Sequence, residues 1–176
     1  MAQTSITYQL AAIAEDAIGA ADRLFITRFG LHVHEIRVLR LIADQPSVTF
    51  TVLARQTKFE RSATSRILSK LIKNGYVRRV NDKEDARQFQ LFVTAKGLRL
   101  REKADPLTED IEDLMLSALS ADDRRRFMDS IGKLSAWIHS DFTSLLAERH
   151  PETGAPVRRA AKAKQDAQNK LQNTTK

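Results

Sequence analysis

None of the 176 residues is cysteine. That absence excludes disulfides, thiol-based redox sensing and thiolate metal sites, and it fits a reducing cytoplasm. Glycine (6) and proline (4) are scarce, and β-branched runs are few, so helix is expected to dominate. No apolar run is long enough to span a bilayer. The opening segment MAQTSITYQLAAIAEDAIGAADRLF has no basic lead-in, and acids interrupt its apolar run, so it does not read as a signal peptide. The makings of catalysis are thin as well. There are four histidines, no Gly-rich phosphate loop, and no nucleophile–base or metal-ligand spacing. Neither an enzyme nor a cofactor is expected.

What the chain does have is concentrated positive charge. The net charge is +7, yet residues 55–101 alone carry 13 Lys/Arg against 4 Asp/Glu. Residues 1–54 sum to −1, residues 102–150 to −5 and the last 26 residues to +4. A charge confined to one stretch suits phosphate recognition, where counterion release drives binding.

That stretch reads as two short helices, a tight turn and a two-stranded hairpin. Pro46 breaks the chain. Thr49 stands where an N-cap belongs, before FTVLARQT, and Val52 and Leu53 seat the helix. Thr57-Lys58-Phe59 makes the turn. The next helix is expected from Glu60 or Arg61 to Asn74, with Gly75 as its left-handed end. On a 3.6-residue period, Ala63, Thr64, Ile67, Leu68 and Leu71 share one face. Ser62, Ser65, Arg66, Ser69 and Lys73 share the other, and no acid follows Glu60 in this helix. Small hydroxyls and arginine suit base edges, and lysine suits phosphates. The candidate contacts to duplex DNA are therefore Arg61, Ser62, Ser65, Arg66, Ser69, Lys70 and Lys73. After Gly75 the period falls to about 2. Residues 76–80 and 88–93 read as antiparallel strands around a polar tip, whose Lys83 and Arg87 suit a neighbouring minor groove.

The flanks are helical. Residues 5–29 carry the stripe Ile6, Leu10, Ile13, Ala17, Leu24 and Phe25, ended by Gly30. Its width leaves two readings open: cover by a partner subunit, or packing within one subunit. Residues 31–44 form a second helix with Ile36, Leu39 and Ile42 inward. His32 and His34, two apart, face different ways on a helix, which is poor metal spacing. Arg23, Arg37 and Arg40 are candidates for holding an anion near the junction of these helices, or else ion-pair partners. Thr94 can cap a helix over 95–119. Ser120 and Asp123 form a second cap for a long helix over 122–148, with Phe127, Ile131, Leu134, Ile138, Phe142 and Leu145 as its stripe. This stripe suits either a helical dimer interface or a single-chain bundle. From Pro151 the composition turns into a basic tail nearly free of bulky apolar residues.

The segments LHVHEIRVLRLIADQP, TVLARQTKFERSATSRILSKLIKNGYVRRV, DKEDARQFQLFVTAKG and LSADDRRRF, in this order, resemble the MarR family of bacterial transcription factors over residues 5–148. The resemblance implies a mainly α fold with a small β-wing: a winged helix-turn-helix domain plus long N- and C-terminal helices forming a dimerisation domain. The implied divisions are 1–30 (dimerisation helix), 31–96 (DNA-binding domain), 97–148 (dimerisation helices) and 149–176 (tail). It implies a cytoplasmic homodimer on a pseudo-palindromic operator in double-stranded DNA, usually a repressor, released by a small effector. It implies Ser62, Thr64, Ser65 and Arg66 as recognition contacts and Arg87 as the wing arginine. The family's wing often reads Asp-Arg-Arg; here it reads Asp85-Ala86-Arg87, and Ile36 stands where an aromatic is common. An effector pocket is expected between the dimer helices and the DNA-reading domain, lined by Arg23, Phe25, His34, Arg37 and Arg40, and suited to an anionic aromatic ligand. The alternative is an architectural winged-helix protein that coats DNA without sequence choice.

Overall fold

The computed structural model describes residues 5–81 and 89–153. Helix α1 spans Ile6–Phe29, α2 Val33–Asp44, α3 Phe50–Thr57 and α4 Arg61–Lys73. Strand β1 is Val48–Thr49, β2 Val77–Asn81 and β3 Phe89–Val93. Helix α5 is Ala95–Leu116, α6 Ala121–Trp137 and α7 Thr143–Arg149. The fold is mainly α with a small antiparallel sheet. Two compact units divide at Ala118 and Leu119. No helix among the described residues is long and apolar enough to cross a membrane.

The local signals fix the ends of these elements. Gly30 (φ 68°) and Gly75 (φ 73°) both stand in the left-handed region, where a side chain would strain the backbone. Thr49 Oγ1 accepts from Val52 N (3.4 Å), Thr94 Oγ1 from Gly97 N (3.1 Å) and Ser120 Oγ from Asp123 N (3.2 Å). Lys58 takes the left-handed turn (φ 58°) in place of the glycine common there. At the start of α2, Asp22 of α1 adds a cap from another helix to the local one, in which Glu35 Oε2 accepts from His32 N (2.9 Å). Asp22 Oδ1 accepts from Val33 N and its Oδ2 lies against His32 Nδ1, both at 2.8 Å.

In the first unit α2 is the central helix. Ile36, Val38, Leu39 and Ile42 are buried, with Leu53 of α3, Leu71 of α4, Val77 of β2 and Leu91 of β3. Full burial of each such side chain contributes about 1.5–3 kcal/mol. The hairpin expected from sequence is a three-stranded sheet in the order β1-β3-β2. Val48 pairs with Leu91, and Val77 with Val93. Two residues are too few to show a period of 2, so β1 was not legible before the fold.

In the second unit the long helix changes its hydrogen-bond pattern midway. A π-helical turn, Ile138–Phe142, separates α6 from α7. Helix α6 has no buried residue; Phe127, Leu134 and Trp137 are all 40–45% exposed.

Candidate nucleic-acid interface and ligand cavity

Helix α4 is seated by Leu68 and Leu71, with Ile67 partly covered. This fixes which face is left outside. Arg61, Ser62, Ser65, Arg66, Ser69 and Lys73 are all exposed. Arg61 lies over the Phe50 ring at 4.8 Å, which stiffens a long side chain by a cation–π contact. Beside this face, Ser65 and Ser69 share a concavity with Phe50, Phe89 and Arg79. Arg79 lies 5.6 Å from the Phe89 ring and Arg78 4.7 Å from the Phe92 ring. Neither arginine was singled out from sequence. The signal available was the adjacent pair in one strand, which must point to opposite faces.

Two helix residues differ from expectation. Thr64 is fully buried, and its hydroxyl meets that of Thr57 at 3.0 Å. It ties α3 to α4 and cannot reach a base edge; its place on the apolar side of the helix prevails over the resemblance. Lys70 is half-covered, and its Nζ donates to Glu35 Oε2 at 2.8 Å. Lys83 and Arg87 lie outside the described residues.

The expected effector residues do not form one site. A cavity of about 260 Å³ lies between α1, α2 and α5, with Ala17, Ile18, Phe25 and Ile36 among its apolar walls and Arg37 and Arg40 as its cations. Arg40 is committed: Nε donates to Asp105 Oδ1 (2.6 Å) and Nη2 to Thr108 Oγ1 (2.7 Å). Arg37 is exposed and has no ion pair among the described residues. Arg23 is exposed and does not line the cavity. His34 lines a different concavity, with Asp22, His32, Glu35, Arg66 and Lys70. Its ring packs edge-on against Phe59 (4.6 Å), and its Nδ1 is buried with no partner. Burial, with Arg37 nearby, holds its pKa below the ordinary histidine value. Burial pushes the Asp22 carboxyl up, but its hydrogen bonds from His32 and the Val33 N–H prevail and hold it below the usual carboxylate range.

A buried apolar seat, a hydroxyl-and-arginine outer face and a sheet edge carrying further arginines are the parts of a winged helix-turn-helix. Residues 29–88 match the family model described as MarR family. Over those residues the chain is similar to the MarR family. The chain is 28% identical over 97 residues to Transcriptional regulator HosA of Escherichia coli, covering 55% of this chain and 72% of HosA. It is 25% identical over 131 residues to HTH-type transcriptional repressor Rv2887 of Mycobacterium tuberculosis, covering 74% of this chain and 91% of that one. Among solved structures, a crystal structure of MarR superimposes with a TM-score of 0.69 at 22% identity, over 76% of this chain and 96% of that one. The S. aureus MepR–DNA complex gives 0.66 at 18%, over 76% and 98%. Rv2887 in complex with salicylic acid gives 0.64 at 23%, over 76% and 98%. These likenesses establish the fold.

Proposed function

We propose that this chain is a MarR-family regulator: a homodimeric, sequence-specific DNA-binding repressor released by a small anionic aromatic effector. The observation that carries the reading is the exposed face of α4: three serines and two arginines, no acid, on a helix seated by its opposite side. Serine and arginine side chains reach base edges in a major groove, and Lys73 and the Arg78–Arg79 pair supply phosphate contacts. The MepR–DNA complex, of the same fold, supports DNA as the partner.

A dimer follows from what is left uncovered. Ile6, Tyr8 and Ile13 of α1 are each about 60% exposed or more, as are many apolar residues of α6 to a lesser degree. Apolar faces of this extent call for a partner, and a second copy is the simplest one. Twofold symmetry would set two recognition helices about 34–36 Å apart, the pitch of successive major grooves. The effector would occupy the α1–α2–α5 cavity, its ring among the apolar walls and its carboxylate on Arg37. The complex of Rv2887 with salicylic acid supports that ligand class.

The test is gel-shift and sizing of Arg66→Glu. Operator binding should be lost while the dimer stays intact; unchanged binding refutes the assignment of α4. Equal competition by operator and random DNA at physiological salt would instead identify an architectural protein.

A further inference from the structure

A second concavity lies at the other end of the α1–α5 helix pair from the effector cavity. Its lining is Arg28 and Phe29 at the end of α1, Tyr76 just after α4, and Lys96, Arg99, Leu100 and Lys103 of α5, enclosing about 320 Å³. Four of its seven lining residues are cations and none is an acid.

Such a cluster is costly to leave alone. Lys96, Arg99 and Lys103 recur at helical spacing on one side of α5, where like charges repel. Elsewhere the helix neutralises its arginine. Arg101 donates to Asp44 (2.5 Å) and to Asp105 (3.1 Å). Two of the four cleft cations have structural work. Lys96 Nζ donates to the Asn74 carbonyl at the end of α4 (2.9 Å) and lies 4.8 Å from the Tyr76 ring. Arg28 stands in the last turn of α1, where a cation suits the helix dipole. Arg99 and Lys103 have neither an ion pair nor a hydrogen bond among the described residues. The floor beneath them is aromatic and apolar: Phe29, Tyr76 and Leu100.

We propose that this cleft is a phosphate-ester site, separate from the effector cavity, that takes a phosphorylated aromatic small molecule. The cations answer a polyanion, and Arg and Lys are the side chains suited to phosphate. The rings of Tyr76 and Phe29 answer an aromatic group borne by the same ligand. The cleft touches α1, α5 and the end of α4, so occupancy bears on how the recognition helix is held. An anion on Lys96 competes with the Asn74 carbonyl for the same ammonium. The same phosphate chemistry is available from the backbone of bound DNA, since Lys96 is bonded to the residue next to Lys73.

The test uses the full chain and the triple variant Arg28→Gln/Arg99→Gln/Lys103→Gln, which spares Lys96 and its bond to α4. Calorimetric titration with ATP should show binding to the parent, weakened at least tenfold in the triple variant and unchanged in Arg37→Ala. If ATP does not bind, a second arm measures DNA affinity against salt. A slope shallower by about one per lost phosphate contact in the triple variant assigns the cleft to the DNA backbone and overturns the small-molecule proposal. A triple variant that melts like the parent, with neither ATP binding nor salt slope altered, overturns the proposal. Arg66→Glu keeps the outcomes apart: it should abolish DNA binding and leave ATP binding intact, so failure of the DNA-binding reading does not decide this one.

Discussion

Lys70 of the recognition helix donates from Nζ to Oε2 of Glu35 at 2.8 Å, and Glu35 is only 7% exposed. The same Oε2 accepts from the His32 backbone N–H at 2.9 Å. One carboxylate thus joins the start of α2 to the middle of α4. It positions the helix that faces outward, and Lys70 is spent on that task rather than on a phosphate.

Removing the lysine leaves a buried carboxylate with half its partners. Lys70→Met should lower stability by about 1–3 kcal/mol, at the weaker end for buried pairs because Lys70 is itself 40% exposed. Lys70→Met with Glu35→Gln should recover part of that loss, since the two effects share one interaction. Urea unfolding of the single and double variants measures both. Strict additivity would show that the pair is not coupled.

Gly97 is the most closely hemmed of the described glycines. A Cβ there would lie 2.3 Å from the Tyr76 carbonyl oxygen and 2.7 Å from Val93 Cγ2. That carbonyl also accepts from Thr94 N at 2.9 Å, so it is not free to move. Gly97→Ala should cost about 1–3 kcal/mol by overpacking, read as a fall in melting temperature. A control at Gly132, where nothing lies within 4 Å of the added atom, should not destabilise.

The two cavity arginines should separate in their effects. Arg37 is uncommitted, so Arg37→Ala should weaken binding of salicylate by about tenfold, the worth of one charge-assisted hydrogen bond, with little change in stability. Arg40→Ala leaves Asp105 with Arg101 alone, removes the donor to Thr108 Oγ1, and should destabilise by about 1–2 kcal/mol. Titration and thermal melts of both variants check this; the reverse pattern would place the anion on Arg40.

His34 sets a pH dependence. Its pKa is depressed in the folded chain, so the unfolded chain binds more protons as pH falls through the ordinary histidine range near about 6.5. Stability is therefore full above that range and is lost as pH drops through it toward the depressed folded value. Groups around the ring act in both directions: Arg37 and His32 lower its pKa and Asp22 raises it. His34→Phe keeps a ring against Phe59 and removes the titration. Melting temperatures between pH 7.5 and 5.5 should fall for the parent and stay flatter for the variant.

Much of this molecule was legible in one dimension. The left-handed ends at Gly30 and Gly75 and the caps Thr49, Thr94 and Ser120 stand where the sequence put them. Each is satisfied within one turn, so its signal lies in neighbouring residues. The seated and exposed sides of α4 were likewise written in its period, Thr64 included. The long stripe over 122–148 reads as uniformly α-helical, whereas the helix takes a π-turn at Ile138–Phe142 that its apolar spacing does not announce.

The sequence by itself determined the order of elements and the concentration of positive charge between residues 55 and 101. Only the tertiary structure decided how the cations, inside that stretch and beside it, are used. Lys70 turns to Glu35, 35 residues away; Arg40 turns to Asp105, 65 away; Arg37, Arg99 and Lys103 are left uncommitted among the described residues. The third strand arises the same way, by Val48 meeting Leu91. A cap needs only the residue three places on, whereas a charge is neutralised by whichever opposite group the packing of distant segments brings within reach.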